Sequence, residues 1–288
     1  MRITIPEVKK LKARGEPIPM LTAYDAPTAR LLDEAGIPLL LVGDSVGMVV
    51  LGYQDTTQVT MDDMLHHVKA VARGSRRALV IADMPFMSVT VSVERAIENA
   101  GRFIQEGGAQ AVKVEGGEAT AETIRRIVAA GIPVMGHVGL TPQQVLILGG
   151  YRVQGRSLED AEQVVKDALA VEAAGAFALV LECIPAELAR LITETLAIPT
   201  IGIGAGPDCD GQVQVIHDLL GWIPDFTPKH ARRYADLDKT IGAAATRYAE
   251  DIRARRFPAA EQSVSLDEAV VRALKDRLST RRSPSSPD

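Results

Sequence analysis

The sequence predicts an α/β chain folded as a (βα)8 TIM barrel, and three observations carry that expectation. Eight short apolar runs bounded by Gly or Pro alternate with segments of helical period. The runs are nearly continuous in Val, Ile and Leu, as strands buried on both faces are. The chain has 288 residues, 47% of them hydrophobic, enough to bury one large core. Strict βα alternation also fits an open, doubly wound sheet. Such a sheet would carry GxGxxG after its first strand, whereas here the first strand runs into AYDAPTAR and the glycine-rich turn GIGAG follows the seventh. A turn in that position either holds an anion or a substrate tail or is simply where the chain turns sharply.

Taken in order, the candidate strands are 19–24 (PMLTAY), 38–43 (PLLLVG), 78–83 (ALVIAD), 110–115 (QAVKVE), 133–138 (PVMGHV), 177–182 (FALVLE), 199–204 (PTIGIG) and a weak eighth at 222–226 (WIPDF). Between them, helical stripes recur: Met64, Leu65, Val68 and Val71; Ile97, Ala100 and Ile104; Ile124, Ile127 and Val128; Val164, Val165, Ala168 and Leu169; Leu188, Leu191, Ile192 and Leu196. Thr60 with Asp63 and Ser157 with Asp160 have capping-box spacing, and Pro185 suits a first helical turn. Gly36, Gly107, Gly131, Gly175 and Gly221 each follow a helical pattern as stop signals. The barrel domain, with a helix at its N-terminus, is expected over 1–256. Residues 257–288 then read as a linker (FPAAEQS), a capped amphipathic helix (SLDEAVVRALKDRL) and a solvated tail (STRRSPSSPD).

Composition removes several classes of function. A net charge of −5 and a pI near 5.6 argue against a nucleic-acid partner, and the clusters RGSRR and RARR read as solvated helix ends or loops. Cys183 and Cys209 form no CxxC and have no His at zinc-finger spacing, so neither a disulfide framework nor a structural zinc is expected. No apolar stretch has the length of a membrane span and the first residues lack a secretory core, so a soluble, cytoplasmic protein is expected.

Four acids, Asp44, Asp83, Glu115 and Glu182, stand just past or at the end of candidate strands. In a parallel barrel these ends share one face, so the carboxylates converge there with Lys113 and His137. Like charges in a partly dry cleft require that some stay protonated or that a divalent cation be held. Any single acid at a strand end is more often a helix cap; four on one face shift that balance. Lys113 fits an ion pair with Glu115 as well as a substrate contact. His137 fits a hydrogen-bonded core histidine, a substrate contact or a contact behind the ligands. Cys183, next to Glu182, should face away from the mouth by strand alternation. His66, His67, His217 and His230 read as surface residues. Two connections, 45–60 and 139–157, are much longer than the others and leave from the acidic face, as lids or binding loops do.

The segments TAYDAPTA, LLVGDSVGM, ADMPFM, AVKVEGG, GHVGLTPQ, GGYRVQGR, LVLECIP and IGIGAG, in this order and at these separations, closely resemble the ketopantoate hydroxymethyltransferase family over roughly residues 3 to 262. The resemblance implies a (βα)8 barrel that transfers a one-carbon unit from 5,10-methylenetetrahydrofolate to 3-methyl-2-oxobutanoate, on the way to pantothenate. It implies that Asp44, Asp83 and Glu115 form a Mg2+ set and that Asp44, Ser45, Asp83 and Lys113 contact the oxo acid. Glu182 is implied as catalytic base, and the assembly as a homodecamer. Two stretches depart from the family pattern: the first long loop reads Gly52-Tyr53-Gln54-Asp55-Thr56-Thr57-Gln58-Val59, and the chain continues past Glu261-Gln262-Ser263-Val264.

The residues support the same chemistry without the resemblance. Forming a carbon–carbon bond next to a ketone needs a proton removed from a weakly acidic carbon, and oxygen ligands suit a hard cation that draws charge from the developing enolate. Lys113, two residues before Glu115 on one strand, points to the same side and supplies a fixed positive charge. Two other classes fit the same residues: a magnesium-dependent lyase or aldolase of another 2-oxo acid, and a non-catalytic ligand-binding barrel.

Overall fold

Eight parallel strands close on themselves in sequence order, each paired with the next and the last with the first, in the computed structural model. Its described residues are 2–224 and 227–280. The strands are β1 (Ile18–Thr22), β2 (Leu39–Val42), β3 (Leu79–Asp83), β4 (Ala111–Glu115), β5 (Val134–Gly139), β6 (Ala178–Glu182), β7 (Thr200–Ile203) and β8 (Gly211–Gln214). The chain divides into two compact units, Met1–Asp236, which contains the barrel, and Leu237–Asp288. The second unit carries the helices Leu237–Arg253 and Glu268–Thr280. Residues 281–288, most of the expected tail, lie outside the described residues.

Strand alternation sorts the core into two layers. Leu40, Val42, Val80, Ala82, Val112, Val114, Leu179 and Leu181 face outward and pack with helix residues such as Val68, Phe103, Ile124 and Ala168. Leu39, Leu41, Leu79, Ile81, Ala111, Met135, Ala178 and Val180 fill the interior of the barrel. Asp83 continues the parity of Leu79 and Ile81, Lys113 and Glu115 that of Ala111, His137 that of Met135, and Glu182 that of Ala178 and Val180. Side chains of one parity share one face, so all five titratable groups belong to the inner face at the strands' C-terminal ends. Register then brings them side by side: Asp83 opposite Lys113, Glu115 opposite His137, and Gly139 opposite Glu182.

The eighth strand is a correction. Residues 222–224 form no strand, with a bend at 223–224, 225–226 lie outside the described residues, and the barrel is closed by Gly211–Gln214. GQVQ has no apolar run because it alternates: Gly211 and Val213 are buried, Gln212 is exposed and Gln214 half-buried. A strand that borders polar surface on one side loses the pattern by which the other seven were legible.

Capping chemistry starts the helices where expected. Thr60 and Asp63 exchange hydrogen bonds at the head of helix Met61–Gly74, which buries Met64, Leu65, Val68 and Val71. Ser157 Oγ accepts from Asp160 N to open helix Leu158–Ala173, and Pro185 precedes helix Ala186–Thr195. Leu169 and Leu191 were expected in buried stripes but are 42% and 57% exposed. Val171 and Ala189 take the inward positions instead.

Asp33, at the end of helix Ala26–Glu34, ties that helix to the loop feeding β3. Its carboxylate accepts from the N–H groups of Ala78 (2.6 Å), Arg77 (2.8 Å) and Arg76 (3.2 Å) and from Ser75 Oγ (3.2 Å). Burial opposes ionisation, but these donors outweigh it and hold the carboxyl below its ordinary range. The depressed folded pKa makes this contribution fully present above the unfolded value of about 3.9 and lost as pH falls through the folded one. Asp33→Asn is expected to cost about 1–3 kcal/mol near neutrality. Urea titrations at several pH values should show the gap from the parent closing on acidification.

Candidate active site

Of the seven residues singled out in the sequence, Asp44 and Ser45 lie just past β2, Asp83, Glu115 and Glu182 are the last residues of β3, β4 and β6, and Lys113 and His137 stand two residues before the ends of β4 and β5. Lys113 is the hub. Its Nζ lies 2.8 Å from Asp83 Oδ1, 3.6 Å from Glu115 Oε1 and 3.1 Å from His137 Nδ1. His137 stands between two glutamates, with Nδ1 3.3 Å from Glu115 Oε1 and Nε2 3.2 Å from Glu182 Oε2. Asp44 N donates to Asp83 Oδ2 at 3.2 Å. Ser45 Oγ is 2.8 Å from Tyr24 Oη.

Burial grades the cluster. Asp83, Lys113 and His137 are at most 3% exposed and Asp44 and Glu115 at most 7%, whereas the Glu182 side chain keeps 17%. The innermost groups are therefore shut from bulk water, and the glutamate at the rim is open to an incoming molecule.

The electrostatics follow from that packing. Burial, then the charges of Asp83 and Glu115, push the Asp44 carboxyl well above the usual range. Burial and Glu115 also push Asp83 up, against the Lys113 ammonium. Burial works against the charge on Glu115 too, but Lys113, His137 and the Gln143 N–H hold that carboxyl below its ordinary value. For Lys113, Asp83, Glu115 and Asp44 outweigh burial and raise the pKa, so the ammonium persists. His137 is opposed by burial and by Lys113, yet the flanking glutamates push it up to about 9.

Two of the acids suit a divalent cation. Asp83 Oδ1 is buried and accepts no aligned hydrogen bond even though Lys113 is close, and Asp44 is forced up by burial and then by neighbouring negative charge. Both features suit a hard cation on carboxylate oxygens. Among the described residues no group of three or more His, Cys, Asp or Glu side chains is arranged to hold a metal ion. Glu115 is engaged by Lys113, His137 and Gln143 instead. The fit is thus to Asp44 and Asp83 first, with Glu115 beside them.

Sequence reasoning missed three participants. Gln143, in the second long loop, donates from Nε2 to Asp44 Oδ2 (2.8 Å) and Met84 O (2.9 Å), and from its backbone to Glu115 Oε2 (3.2 Å). Its only sequence signal was membership of GHVGLTPQ. Tyr24, buried behind Ser45, belongs to TAYDAPTA. His217 was expected at the surface but is 8% exposed, stacked on Trp222 with ring centroids 4.8 Å apart and 5.5 Å from the Tyr24 ring. Its helix, Ile216–Leu220, is too short for a helical stripe to be read.

Cys183 is half-buried with a left-handed φ of 48°, and burial followed by the Glu182 charge pushes its thiol up to about 11. A thiol so raised is a poor nucleophile. The GIGAG turn is tight, with left-handed Gly204 and Gly206. Gly139 has a functional reason to lack a side chain: φ is 94°, and a Cβ would stand 2.4 Å from the Glu182 carbonyl oxygen and 2.8 Å from Ile184 Cγ2. Gly139→Ala should displace Glu182, lowering kcat, and should cost about 1–3 kcal/mol through strain and overpacking. Thermal melts and turnover of the same preparation check both.

A closed parallel barrel with acids, an ammonium and an imidazole packed at the C-terminal rim defines a (βα)8-barrel enzyme acting on a small molecule. The chain belongs to the ketopantoate hydroxymethyltransferase family, whose model matches residues 2–260. The 3-methyl-2-oxobutanoate hydroxymethyltransferase of Dehalococcoides mccartyi strain CBDB1 is 59% identical over 275 residues, covering 96% of this chain and 99% of the relative. That of Chloroflexus aurantiacus strain J-10-fl is 59% identical over 273 residues, covering 95% and 96%. Among solved structures, phosphonopyruvate hydrolase in complex with oxalate and Mg2+ superposes with a TM-score of 0.60 at 15% identity, covering 96% of this chain and 98% of that one. 2,3-Dimethylmalate lyase superposes with a TM-score of 0.58 at 18% identity, covering 98% and 99%. These two likenesses are of fold alone. No helix among the described residues is long and apolar enough to cross a membrane.

Proposed function

We propose that this hydroxymethyltransferase moves the one-carbon unit of 5,10-methylenetetrahydrofolate onto 3-methyl-2-oxobutanoate, giving 2-dehydropantoate. The observation that carries the reading is the division of labour at the rim: a buried group of Asp44, Asp83, Lys113 and Glu115, and a separate, more open Glu182 reached through His137. Asp44 and Asp83 would hold Mg2+, with Glu115 on it directly or through water. The ion would supply Lewis-acid polarisation of the oxo acid. Lys113, fixed by Asp83 and Glu115, holds a positive charge where the substrate's carboxylate or developing enolate oxygen comes to lie. Ser45, held by Tyr24, offers a hydroxyl to the same oxygens.

One water opens the methylene bridge: both C–N bonds break, the two folate nitrogens take the water's hydrogens, and its oxygen stays on the one-carbon unit as formaldehyde. Glu182 takes the proton from the carbon next to the ketone, that carbon bonds to the formaldehyde carbon, and the proton passes from Glu182 to the formaldehyde oxygen, which becomes the product hydroxyl. His137 keeps Glu182 at one place by standing 3.2 Å from its Oε2, and the rim position lets the folate approach from outside. The long loops 45–60 and 139–157 leave from this face and would shield the enolate from bulk water while leaving room for the one water that the transfer consumes. A decameric assembly belongs to the same reading on family resemblance, and a cytoplasmic location on the cysteine usage of the sequence.

The test is turnover with each component left out. Product is expected with the oxo acid, 5,10-methylenetetrahydrofolate and Mg2+ together. EDTA should abolish it and added Mg2+ restore it. Product formed without folate would overturn the transferase reading in favour of a lyase or aldolase of another 2-oxo acid.

A further inference from the structure

In the loop 139–157, Gln143 is the residue whose side chain reaches into the acid cluster. Gln143 sits in the short turn Pro142–Gln144 and is 8% exposed. Its side-chain amide has two N–H donors, and both are spent inside the site, one on Asp44 Oδ2 and one on Met84 O. Its backbone N–H reaches Glu115 Oε2. One loop residue thus touches acids from two different strand ends, after β2 and on β4, and the main chain that follows β3. The turn also packs against Thr56–Gln58 in the other long loop, so both loops meet at this point.

Resting on the proposed magnesium site, we infer that Gln143 is a positioning residue that fixes the Asp44 carboxylate for Mg2+ and thereby couples occupancy of the metal site to order in the loop 139–157. The physical ground is that a carboxylate with one oxygen held by an amide cannot rotate freely, so its other oxygen is presented in one direction before a cation arrives. Groups that orient metal ligands in this way typically change affinity by about 10–100-fold when removed. Coupling runs both ways: whatever Asp44 gains from a placed Gln143, the loop gains from an occupied site. The loop carries strongly exposed apolar side chains, Leu146 and Ile147 at 75% and 87%, so a tether at its base bears on its order.

The experiment uses the full chain and Mg2+ alone. Isothermal titration would compare the parent with Gln143→Met, which keeps length and apolar packing but removes the amide, and Gln143→Leu, which removes the amide in a shorter, branched side chain. The backbone bond to Glu115 survives in both, so the pair isolates the amide. Mg2+ affinity is expected to fall about 10–100-fold in Gln143→Met and to a similar extent in Gln143→Leu. Hydrogen exchange of 139–157 should slow on adding Mg2+ to the parent and stay unchanged in Gln143→Met. If one variant fails to fold, the other still reports, because each lacks the amide.

Equal Mg2+ affinity in parent and a folded variant would overturn the inference while leaving the metal reading intact. A parent whose loop exchange ignores bound Mg2+ would overturn the coupling. A parent that binds no Mg2+ would overturn the metal reading and this inference together.

Discussion

Glu182→Gln is expected to lower turnover by about 10²–10⁴-fold, the usual contribution of a positioned general base, while the protein folds and binds Mg2+ like the parent. The reason is positional. Glu182 has 17% of its side chain exposed and makes its contact with His137 at the rim, whereas Asp44 and Asp83 are buried below it. Removing a rim carboxylate takes away a proton acceptor without stripping the inner cluster. Nuclear magnetic resonance of the oxo acid in D2O reads the step itself: exchange of the proton next to the ketone should slow with turnover. A folded Glu182→Gln protein that exchanges and turns over like the parent would place the base elsewhere or leave the barrel a ligand binder.

Lys113→Ala should have the largest effect on stability. The ammonium is 3% exposed, 2.8 Å from Asp83 and 3.6 Å from Glu115, so its loss leaves buried carboxylates facing one another. Breaking a buried ion pair from one side costs about 3–5 kcal/mol, and here the charge left behind is more than one carboxylate. Denaturant titrations without metal measure the loss. Added Mg2+ should recover part of it, because a cation on Asp44 and Asp83 restores positive charge to the same group. A Lys113→Ala protein as stable as the parent would mean that the cluster relaxes or protonates more cheaply than its burial suggests.

Much of this site was legible because barrel geometry turns strand parity into direction. Lys113 and Glu115 had to share a face, being two residues apart on one strand, and the register of β3, β4, β5 and β6 then places Asp83, His137 and Glu182 beside them. Seven of the strands were equally plain, since a strand covered on both faces must be apolar at nearly every position, and a short apolar run between turn residues is the trace this leaves. β8 was not, because GQVQ carries its apolar residues at alternate positions and reads like a loop. Gln143 was hidden for a different reason: a polar residue in a polar loop carries no periodicity, and its importance arises only from contacts with Asp44 and Glu115, which are distant in sequence. His217 was misjudged because burial there comes from Trp222 and Tyr24 rather than from a helical stripe.

The same contrast separates what the fold contributes from what the site requires. The outward layer of Val, Ile, Leu and Ala could be exchanged for other apolar residues of similar volume at modest cost. The inner face could not, because each of its polar groups is held by another: Asp83 by Lys113, Lys113 by His137 and Glu115, and Glu115 by Gln143.

The most direct test is a crystal of the protein grown with Mn2+ in place of Mg2+ and 3-methyl-2-oxobutanoate, measured for anomalous scattering. One peak is expected between Asp44 and Asp83, with Glu115 on the ion or one water away, the oxo acid on the same ion, and Glu182 off the metal facing the carbon next to the ketone. A peak elsewhere, or Glu182 among the ligands while Asp44 and Asp83 remain apart from the ion, would contradict the account.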